Sequence, residues 1–436
     1  MLRFAPSPTG YLHVGNARIA ILNYLFAKKN NLECFLRFDD TDTVRSKKFY
    51  EEQIKIDLDW LGVRFKSSFN QLDRLDIYNG IADDLKKKGL IYPCYENAEE
   101  LEIKRKLQLK SGKPPLYDRA SLRLTSKEIN EYNKQGRNPH WRFKLDSNPV
   151  KWKDLLHGYI SFENLPISDP VVIRSDGTPL FTLTSVIDDL DFKISHVIRG
   201  DDHITNTAAQ IQLFNTIGDK APKFAHVPLM KSISGEQLSK RDKSFSLSDI
   251  KNNGIQSKVL FNMLSKLGSK HNYDTIDSLL TLQENFEINN FSKNTINFNF
   301  SDLERMNSKF LCNLSFNEIK NMTHLDISKN QWSVIKPNIK TFEDISVWFD
   351  IINKSFKKIE DNSNSELFKI AVECLPDNIS EETWKLWCLE INKKTGISGK
   401  KLFLTLRLKL TGRESGPEMK KIINILGKNE IIRRLI

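Results

Sequence analysis

The sequence predicts an α/β protein with an α+β insertion in its core and all-helical domains at its C-terminal end. Three patterns indicate this class. The chain begins with an apolar strand, a turn and a helix; short strand patterns fill residues 89–176; and amphipathic helical patterns follow from about residue 250. With 436 residues the chain is long enough for roughly two to four packed units.

The composition predicts a globular protein of the cytoplasm that binds a polyanion. Hydrophobic residues make up 39% and charged residues 28% of the chain, and no apolar run approaches the ~20 residues of a membrane span. The first fifteen residues lack a signal-peptide core. The net charge of +11 and the pI of about 9.2 favour nucleic acid as the partner. Charge alone is equally consistent with a lysine-rich surface that binds no nucleic acid. Scattered cysteines, odd in number, favour reduced thiols over a disulfide framework: Cys34, Cys94, Cys312, Cys374 and Cys388.

The first turn is a candidate anion-binding site. A strand over residues 2–5 leads through two prolines and Gly10 to His13-Val14-Gly15-Asn16, where a helical pattern starts. Unpaired N–H groups and the positive end of the helix dipole attract an anion there. His13 can donate a hydrogen bond to a phosphate oxygen, and Gly15 lets a ligand approach the backbone. By itself, a histidine at a helix start is more often a cap.

A second strand, at residues 34–38, ends in the acidic cluster Asp39-Asp40-Thr41-Asp42. Carboxylates at the carboxyl end of a strand lie where the ligands of open α/β sheets bind. In the alternative interpretation the cluster is a turn, and Thr41 or Asp42 caps the helix that follows. A further helix near residues 78–88 completes a strand–helix–strand–helix half-sheet of the nucleotide-binding kind.

Residues 89–176 are expected to form the α+β insertion. A charged helix at residues 98–110 comes first. The strands expected after it are residues 141–145, 159–162 and 170–174. Cys94 has no companion cysteine nearby, so we expect no zinc site in this region.

Core patterns resume at residues 181–189 and in a strand at residues 196–199, which ends in Gly200-Asp201-Asp202-His203. Downstream, Gln237-Leu238-Ser239-Lys240-Arg241 is a loop with adjacent cations, which by itself indicates only a solvated charge pair. The amphipathic helices predicted beyond it include residues 259–267, 303–310, 345–349 and 402–410.

Together these stretches resemble bacterial-type glutamyl-tRNA synthetases, which belong to class I of the aminoacyl-tRNA synthetases. Residues 13–16 and 237–241 are similar to the His-Ile-Gly-His and Lys-Met-Ser-Lys-Ser signatures of that class. Four further stretches are similar to the glutamyl-tRNA synthetases in particular. They are Arg-Phe-Ala-Pro-Ser-Pro-Thr-Gly at 3–10, Arg-Phe-Asp-Asp-Thr-Asp at 37–42, Val-Ile-Arg-Gly at 197–200 and Leu-Arg-Leu-Lys-Leu-Thr-Gly-Arg at 406–413. It therefore spans nearly the whole chain.

The resemblance implies a glutamate–tRNA ligase with a Rossmann-type catalytic core. The implied domains are the core at 1–78 and 179–222, an acceptor-stem-binding insertion at 79–178, a stem-contact region carrying the mobile Lys240 loop at 223–313, and a helical anticodon-binding domain at 314–436. The implied partners are L-glutamate and tRNA(Glu), with tRNA(Gln) as a second candidate, and we expect a monomer.

The implied reaction activates glutamate with ATP, releases pyrophosphate, and transfers the glutamyl group to the 3′ end of tRNA. A carboxylate nucleophile is already ionised, so positioning and charge neutralisation carry the activation step. His13 and Lys240 are the expected catalytic residues, with Mg²⁺ beside the departing pyrophosphate. The expected ATP-binding residues are His13, Gly15, Asn16, Asp202, Leu238, Ser239, Lys240 and Arg241.

Glutamate carries two carboxylates and one ammonium, so its site needs two cations and one anion. By resemblance, Arg3 holds the side-chain carboxylate and Arg199 the α-carboxylate, or the reverse, while Ser7 and Asp39 receive the ammonium. The full expected set is Arg3, Ala5, Ser7, Asp39, Phe181, Ser185 and Arg199. Four positions depart from the residues common in the family: Asp39 stands in place of Glu, Phe181 in place of Tyr, Ser185 in place of Asn, and Gln237 in place of Lys. We therefore expect an active enzyme with altered affinity for its substrate.

The choice of tRNA is predicted from residues 335–340, Ile-Lys-Pro-Asn-Ile-Lys, which stand where discriminating relatives have an arginine-rich turn. Lysine reads base edges less selectively than arginine, so relaxed discrimination between tRNA(Glu) and tRNA(Gln) is expected. The expected tRNA-binding residues are Lys336, Asn338, Arg407 and Arg413.

Several alternatives remain open at the level of sequence. A glutaminyl-tRNA synthetase shares both signatures but is expected to end in β-barrels, whereas this chain is predicted to end in helices. A catalytically silent tRNA-binding paralogue would keep the charge and lose the chemistry. A non-catalytic RNA-binding protein does not account for the pair His13 and Lys240, and a small-molecule nucleotidyltransferase does not account for the basic helical tail.

Overall fold

The structure, a computed structural model, describes residues 1–163, 167–218, 220–232, 245–353, 356, 359–360 and 363–436. Two compact units divide the chain. The first unit is Met1–Ile250 with Leu260–Asn299, and the second is Lys251–Val259 with Phe300–Ile436.

Short strands and helices make up the first 299 residues, and further helices follow to the end of the chain. The strands are β1 Leu2–Phe4, β2 Cys34–Phe38, β3 Ser68–Asn70, β4 Ile91–Cys94, β5 His140–Phe143, β6 Val150–Asp154, β7 Gly158–Phe162, β8 Val171–Ile173, β9 His196–Gly200, β10 Lys223–Val227, β11 Met230–Ser232 and β12 Ile296–Phe298. The α-helices up to residue 299 are α1 Val14–Lys29, α2 Lys48–Trp60, α3 Leu75–Lys87, α4 Ala98–Lys110, α5 Ser126–Lys134, α6 Phe181–Asp191, α7 Ile204–Ile217, α8 Leu247–Asn252, α9 Ser257–Lys266 and α10 Leu279–Glu284. Those that follow are α11 Phe300–Asn313, α12 Phe316–Met322, α13 Lys329–Ile335, α14 Glu343–Ile352, α15 Ser365–Glu373, α16 Thr383–Thr395, α17 Gly399–Thr411 and α18 Met419–Leu435.

The first unit is built on parallel strands. β1 pairs with β2, β2 pairs with β3, and β9 pairs with β10, all in the parallel sense. The amides of Ser195 and His196 both donate to the Met1 carbonyl oxygen, at 2.9 and 3.4 Å, so the start of β9 lies beside the start of β1. Strand order therefore reverses at the β1–β9 junction, which is the position where ligands of open α/β sheets bind.

Helix α1 packs against this junction and is buried over most of its surface. Its Asn23 donates a side-chain hydrogen bond to the Ile198 carbonyl of β9 at 3.0 Å. Arg18, which is 1% exposed, donates to the carbonyls of Pro228 and Leu267 at 3.2 and 3.4 Å. These bonds to backbone acceptors hold the helix N-terminus at the carboxyl ends of both β1 and β9.

Strand β2 is buried over its full length, as its apolar pattern predicts, and it includes Arg37. The acidic cluster that follows does not cap the next helix. Helix α2 begins at Lys48, and its N-cap, Lys47, makes no side-chain capping bond. The prediction that Thr41 or Asp42 caps this helix is therefore wrong. Asp42 instead closes a local turn by accepting from the Arg45 amide at 3.2 Å.

The insertion is α+β, as predicted, with antiparallel pairing of β4 with β5, β5 with β8, and β6 with β7. Next to buried Cys94, the Glu96 carboxylate accepts from the Tyr117 hydroxyl at 2.9 Å, from Ser121 Oγ at 2.8 Å and from Lys104 Nζ at 3.1 Å. Hydrogen bonds to a charged acceptor thus tie β4 to the segment after α4. Within the described ranges, no three or more His, Cys, Asp or Glu side chains are grouped as metal ligands.

The second unit is helical, as predicted, and its core includes Trp332, Trp387 and Leu406. Buried Arg434 links three helices of this unit. It donates to Glu430 Oε1 at 2.8 Å within α18, to the Leu410 carbonyl of α17 at 2.7 Å and to the Ile351 carbonyl of α14 at 2.6 Å. No helix among the residues that the structure describes is long and apolar enough to cross a membrane.

Candidate active site

A cavity of about 350 Å³ opens at the carboxyl ends of β1 and β9, beside the N-terminus of α1. It collects side chains from segments that are far apart in the sequence. The predicted site residues on its wall are Arg3, Ala5, Ser7, His13, Gly15, Asn16, Phe181, Arg199 and Asp202. Its remaining wall includes Arg18, Ile19, His203, Pro228, Leu229 and Met230. Because this is the place where strand order reverses, the cavity is the candidate ligand site.

His13 is the N-cap residue of α1, and its Nδ1 accepts a hydrogen bond from the Gly15 amide at 3.1 Å. In the neutral ring the proton therefore resides on Nε2, which is the donor. A Cβ on residue 15 would lie 2.9 Å from His13 Cε1, so the glycine makes room for the imidazole itself. The group that approaches the Gly15 backbone closely is thus the His13 ring, whereas the sequence suggested that a ligand would do so.

Arg199 is a buried cation that has no counter-ion in contact with it among the described residues. It is 6% exposed, and within the described residues its Nη2 donates to two neutral groups, Thr207 Oγ1 at 2.6 Å and Gln210 Oε1 at 2.7 Å. Its Nε is buried and has no hydrogen-bond partner in that part of the chain. Burial, and then the nearby charge of Arg3, lower the pKa of Arg199 to about 9. A buried guanidinium held this way is stabilised by an anionic ligand.

Arg3 differs from Arg199 because its guanidinium is already paired with a carboxylate. Its Nε lies 3.1 Å from Asp189 Oδ1, and the same carboxylate oxygen accepts from Arg37 Nη1 at 2.9 Å. Arg37 Nε lies 2.7 Å from Asp39 Oδ1. Asp39 is buried against Arg37 and does not line the cavity. The buried ion pairs thus fix Arg3 at the cavity wall and hold Asp39 behind it.

Ser185 also lies behind the cavity. Its hydroxyl donates to the Phe181 carbonyl and accepts from Gln210 Nε2 at 2.7 Å. Gln210 in turn accepts from Arg199, so Ser185 reaches the cavity only through that chain. The Phe181 ring is on the wall, with its centroid 5.5 Å from that of His203.

The predicted loop residues Gln237, Leu238, Ser239, Lys240 and Arg241 lie outside the described residues. Both described flanks of that stretch adjoin the cavity. On one side, Met230 of β11 is part of the cavity wall. On the other, the Leu247 amide donates to the Leu12 carbonyl at 2.9 Å, and Ser246 forms a bridge with His13.

Two family models cover the chain. A model for the catalytic domain of class I tRNA synthetases (E and Q) matches residues 1–306, and a model for an anticodon-binding domain matches residues 303–436. The chain belongs to the class I tRNA synthetase family. This confirms the family that the two signatures and their flanking residues indicated.

Relatives of this synthetase match it over its whole length. It is 46% identical to "Glutamate--tRNA ligase 1" of Rickettsia prowazekii, with 100% of this chain and 98% of the relative covered. For the protein of the same name in Rickettsia felis the identity is 44%, with 99% and 98% covered. A crystal structure of a glutamate tRNA ligase from Elizabethkingia meningosepticum in complex with its amino acid superposes with a TM-score of 0.77. It has 25% identity and covers 100% of this chain and 98% of that one.

Sequence reasoning missed several residues that shape the site of this synthetase. They are Arg18, Arg37, Asp188, Asp189, Thr207, Gln210 and His226. A signal existed for Arg37, since a charge inside the buried run Cys-Phe-Leu-Arg-Phe requires a buried partner. The pair Asp188-Asp189, which interrupts the buried face of α6, is a similar signal. No comparable pattern marks Thr207 or His226.

The predicted tRNA-binding residues of the synthetase lie in different settings on the second unit. Arg407 lines a concave site of about 580 Å³ with Trp384 and Phe403, and its Nη1 is buried without a partner among the described residues. Lys336 donates to the Leu314 carbonyl at 3.2 Å. Two of the four are exposed on the surface: Asn338 and Arg413.

Proposed function

We propose that this chain is a glutamate–tRNA ligase. It activates glutamate with ATP to glutamyl-adenylate, releasing pyrophosphate, and transfers the glutamyl group to the 3′ end of tRNA(Glu). The observation that carries the proposal is Arg199, a buried guanidinium that has no counter-ion in the described part of the chain and shares a cavity wall with Arg3 and His13. A ligand with two carboxylates supplies the anion that this cavity lacks.

The amino acid would be held by the two arginines. Arg3 takes the side-chain carboxylate and Arg199 the α-carboxylate, while the Ser7 hydroxyl accepts from the ammonium. Asp39 sits behind the wall, so it would act on the ammonium through water. Glutamine should be rejected by roughly 10²-fold or more, because its amide leaves a buried guanidinium poorly satisfied. Comparable activation of the two amino acids in pyrophosphate exchange would remove this role from Arg3.

The nucleotide would occupy the rest of the cavity. His13 Nε2–H and the start of α1 face the phosphates, and the apolar side chains of Ile19, Leu229 and Met230 offer a surface for the adenine. Attack by the α-carboxylate on the α-phosphate needs no base, so these groups contribute positioning and charge neutralisation. Lys240 would neutralise the departing pyrophosphate, and Mg²⁺ would enter with ATP as part of the substrate complex.

The tRNA would contact both units. We assign the acceptor stem to residues 79–178 and 223–313, and the anticodon to residues 314–436. In the last region the exposed Phe403 ring, whose centroid lies 5.9 Å from that of Trp384, offers a face on which an unpaired base stacks, and Arg407 lines the same concave site.

We also propose that tRNA(Gln) is a second substrate, because residues 335–340 offer lysine and not arginine to the first anticodon base, and lysine reads base edges less selectively. The Lys336 ammonium is moreover engaged by the Leu314 carbonyl at 3.2 Å. The test is aminoacylation of purified tRNA(Glu) and tRNA(Gln) with glutamate at one salt concentration, since ionic strength alone shifts affinity. A preference above about a hundredfold for tRNA(Glu), on the order of 2.7 kcal/mol, would contradict the proposal.

The activity itself is tested by glutamate- and tRNA-dependent exchange between ATP and pyrophosphate. We expect exchange with glutamate and little with glutamine. Exchange that prefers glutamine would indicate a glutaminyl-tRNA synthetase, and tRNA binding without any exchange would indicate a silent paralogue.

A further inference from the structure

A chain of four buried side chains leads from Arg199 to a carboxylate in the insertion. Arg199 Nη2 donates to Thr207 Oγ1 of α7 at 2.6 Å, and that hydroxyl lies 2.7 Å from Nε2 of His226 in β10. His226 Nδ1 lies 2.7 Å from Asp154 Oδ2 at the end of β6. Arg199 is 6% exposed and the other three at most 1%. These hydrogen bonds therefore join strands that are distant in the sequence through the buried interior.

The Thr207 hydroxyl has two acceptors within reach, Nε2 of His226 at 2.7 Å and the His203 carbonyl at 3.0 Å, and bonding to either directs its proton away from Arg199. Burial opposes the ionisation of Asp154, but hydrogen bonds from His226 and from the amides of His157 and Leu156 lower the pKa of its carboxyl group. Burial lowers the pKa of His226, so its ring is neutral at pH 7. Nδ1–H then donates to the carboxylate, and Nε2 accepts from the Thr207 hydroxyl. The hydroxyl proton points away from Arg199 and its lone pair faces the guanidinium.

We propose that His226 and Asp154 are positioning residues for Arg199 and act on it through Thr207. With Thr207 fixed as an acceptor and Gln210 accepting the second hydrogen, both protons of Nη2 are engaged. Nε is buried, whereas Nη1 makes no hydrogen bond among the described residues, so Nη1 is the group available to the substrate carboxylate. The inference rests on the proposed function, in which Arg199 binds glutamate.

The distance between the Asp154 carboxylate and Arg199 explains how this arrangement can assist substrate binding. A carboxylate in direct contact with Arg199 would compete with the substrate carboxylate for the guanidinium. Asp154 is three hydrogen bonds removed from Arg199, so it orients and polarises the acceptors between them while leaving the charge of Arg199 available. Arg3 shows the contrasting design, with Asp189 in direct contact.

In the competing interpretation, His226 and Asp154 only fasten β6 to β10. The Leu155 amide donates to the Phe224 carbonyl at 2.8 Å, and the His226 amide approaches Asp154 Oδ2 at 3.2 Å, so these strands are already joined. A purely structural role predicts lower thermal stability on substitution, with unchanged Michaelis constants.

The experiment is glutamate-dependent pyrophosphate exchange with Thr207→Val, which keeps the shape of the side chain and removes the hydroxyl. We expect the KM for glutamate to rise roughly tenfold or more, with the KM for ATP within about twofold of wild type. Thr207→Ser should restore the glutamate KM. Thr216→Val is the matched control, because Thr216 lies on the same helix and its hydroxyl donates to the Gln212 carbonyl at 2.7 Å, the same bond to the residue four positions earlier that Thr207 makes to the His203 carbonyl at 3.0 Å.

The contribution of His226 is tested by a double-variant cycle with His226→Phe, which keeps a ring in place. We expect His226→Phe to raise the glutamate KM in the wild-type background and to add nothing to Thr207→Val, since it acts through that hydroxyl. An unchanged KM in Thr207→Val or in His226→Phe, or effects that simply add, would overturn the proposal. Thr207→Ala replaces the valine variant if the latter does not fold.

The same assay separates this inference from the proposed function. If Arg199→Met leaves the glutamate KM unchanged, the assignment of Arg199 to glutamate is wrong. If Arg199→Met raises that KM and Thr207→Val does not, only the positioning chain is wrong.

Discussion

Replacing Arg199 with methionine should separate binding from stability. The substitution keeps much of the side-chain volume and removes a cation that is 6% exposed and has no carboxylate partner among the described residues. Arg37→Met is the matched control. Arg37 is 1% exposed but ion-paired with Asp39 at 2.7 Å and Asp189 at 2.9 Å.

The magnitudes follow from the two environments. The pKa of Arg199 falls from 12.5 to about 9, so burial and the nearby charge of Arg3 disfavour this cation by at most about 5 kcal/mol. A bound carboxylate recovers part of that through hydrogen bonds to a charged group, each ~1.5–3 kcal/mol. Loss of about 3–4 kcal/mol corresponds to a ~10²–10³-fold fall in kcat/KM for glutamate.

The free energy of unfolding should change little in Arg199→Met and much more in Arg37→Met. Arg199→Met removes a disfavoured charge and leaves Gln210 Oε1 without its donor, so these contributions nearly cancel, within ~1 kcal/mol. Arg37→Met leaves two buried carboxylates short of a partner and should lower the free energy of unfolding by about 3–5 kcal/mol. Pyrophosphate exchange and thermal denaturation measure the two effects. A kcat/KM within tenfold of wild type for Arg199→Met, or equal losses of stability in both variants, would refute this reasoning.

Three further predictions concern other parts of the chain. Lys240→Ala should lower the rate of glutamate activation ~10²–10³-fold while tRNA binding changes little, and normal activation would remove the phosphate role from this loop. The insertion should fold and function without zinc, because Cys94 has no companion cysteine; one stoichiometric zinc in elemental analysis of pure protein would contradict this. Hydrogen bonds from Arg433 and Arg434 lower the pKa of Glu430 from 4.5 to about 2. This carboxylate therefore contributes stability above about pH 4.5 that is lost as the pH falls toward 2, at most about 3 kcal/mol. Glu430→Gln should flatten that part of an acid-unfolding curve followed by circular dichroism, and an unchanged curve would exclude the ion pair as its cause.

The sequence by itself determined the elements whose signals are local. The strand, turn and helix start around His13 follow from residues a few positions apart, and a cap needs only the adjacent amide of Gly15. Strand β2 and the helices of the second unit follow from apolar periodicity, which reports burial one element at a time. The family could be recognised because its motifs are short contiguous runs.

Only the tertiary structure decided how the charges are paired. Asp39 and Ser185 were expected at the substrate, yet Arg37 holds the first and Gln210 the second, both behind the cavity wall. Periodicity cannot show such partners, because the energy of a buried charge depends on distances across the fold, which composition and spacing do not encode. The row of hydrogen bonds from Arg199 to Asp154 connects residues far apart in the sequence: His226 and Asp154 alone are separated by 72 positions. Its members have no shared motif, and they meet because β6, β9, β10 and α7 bring them together in one buried interior, where most polar groups are paired.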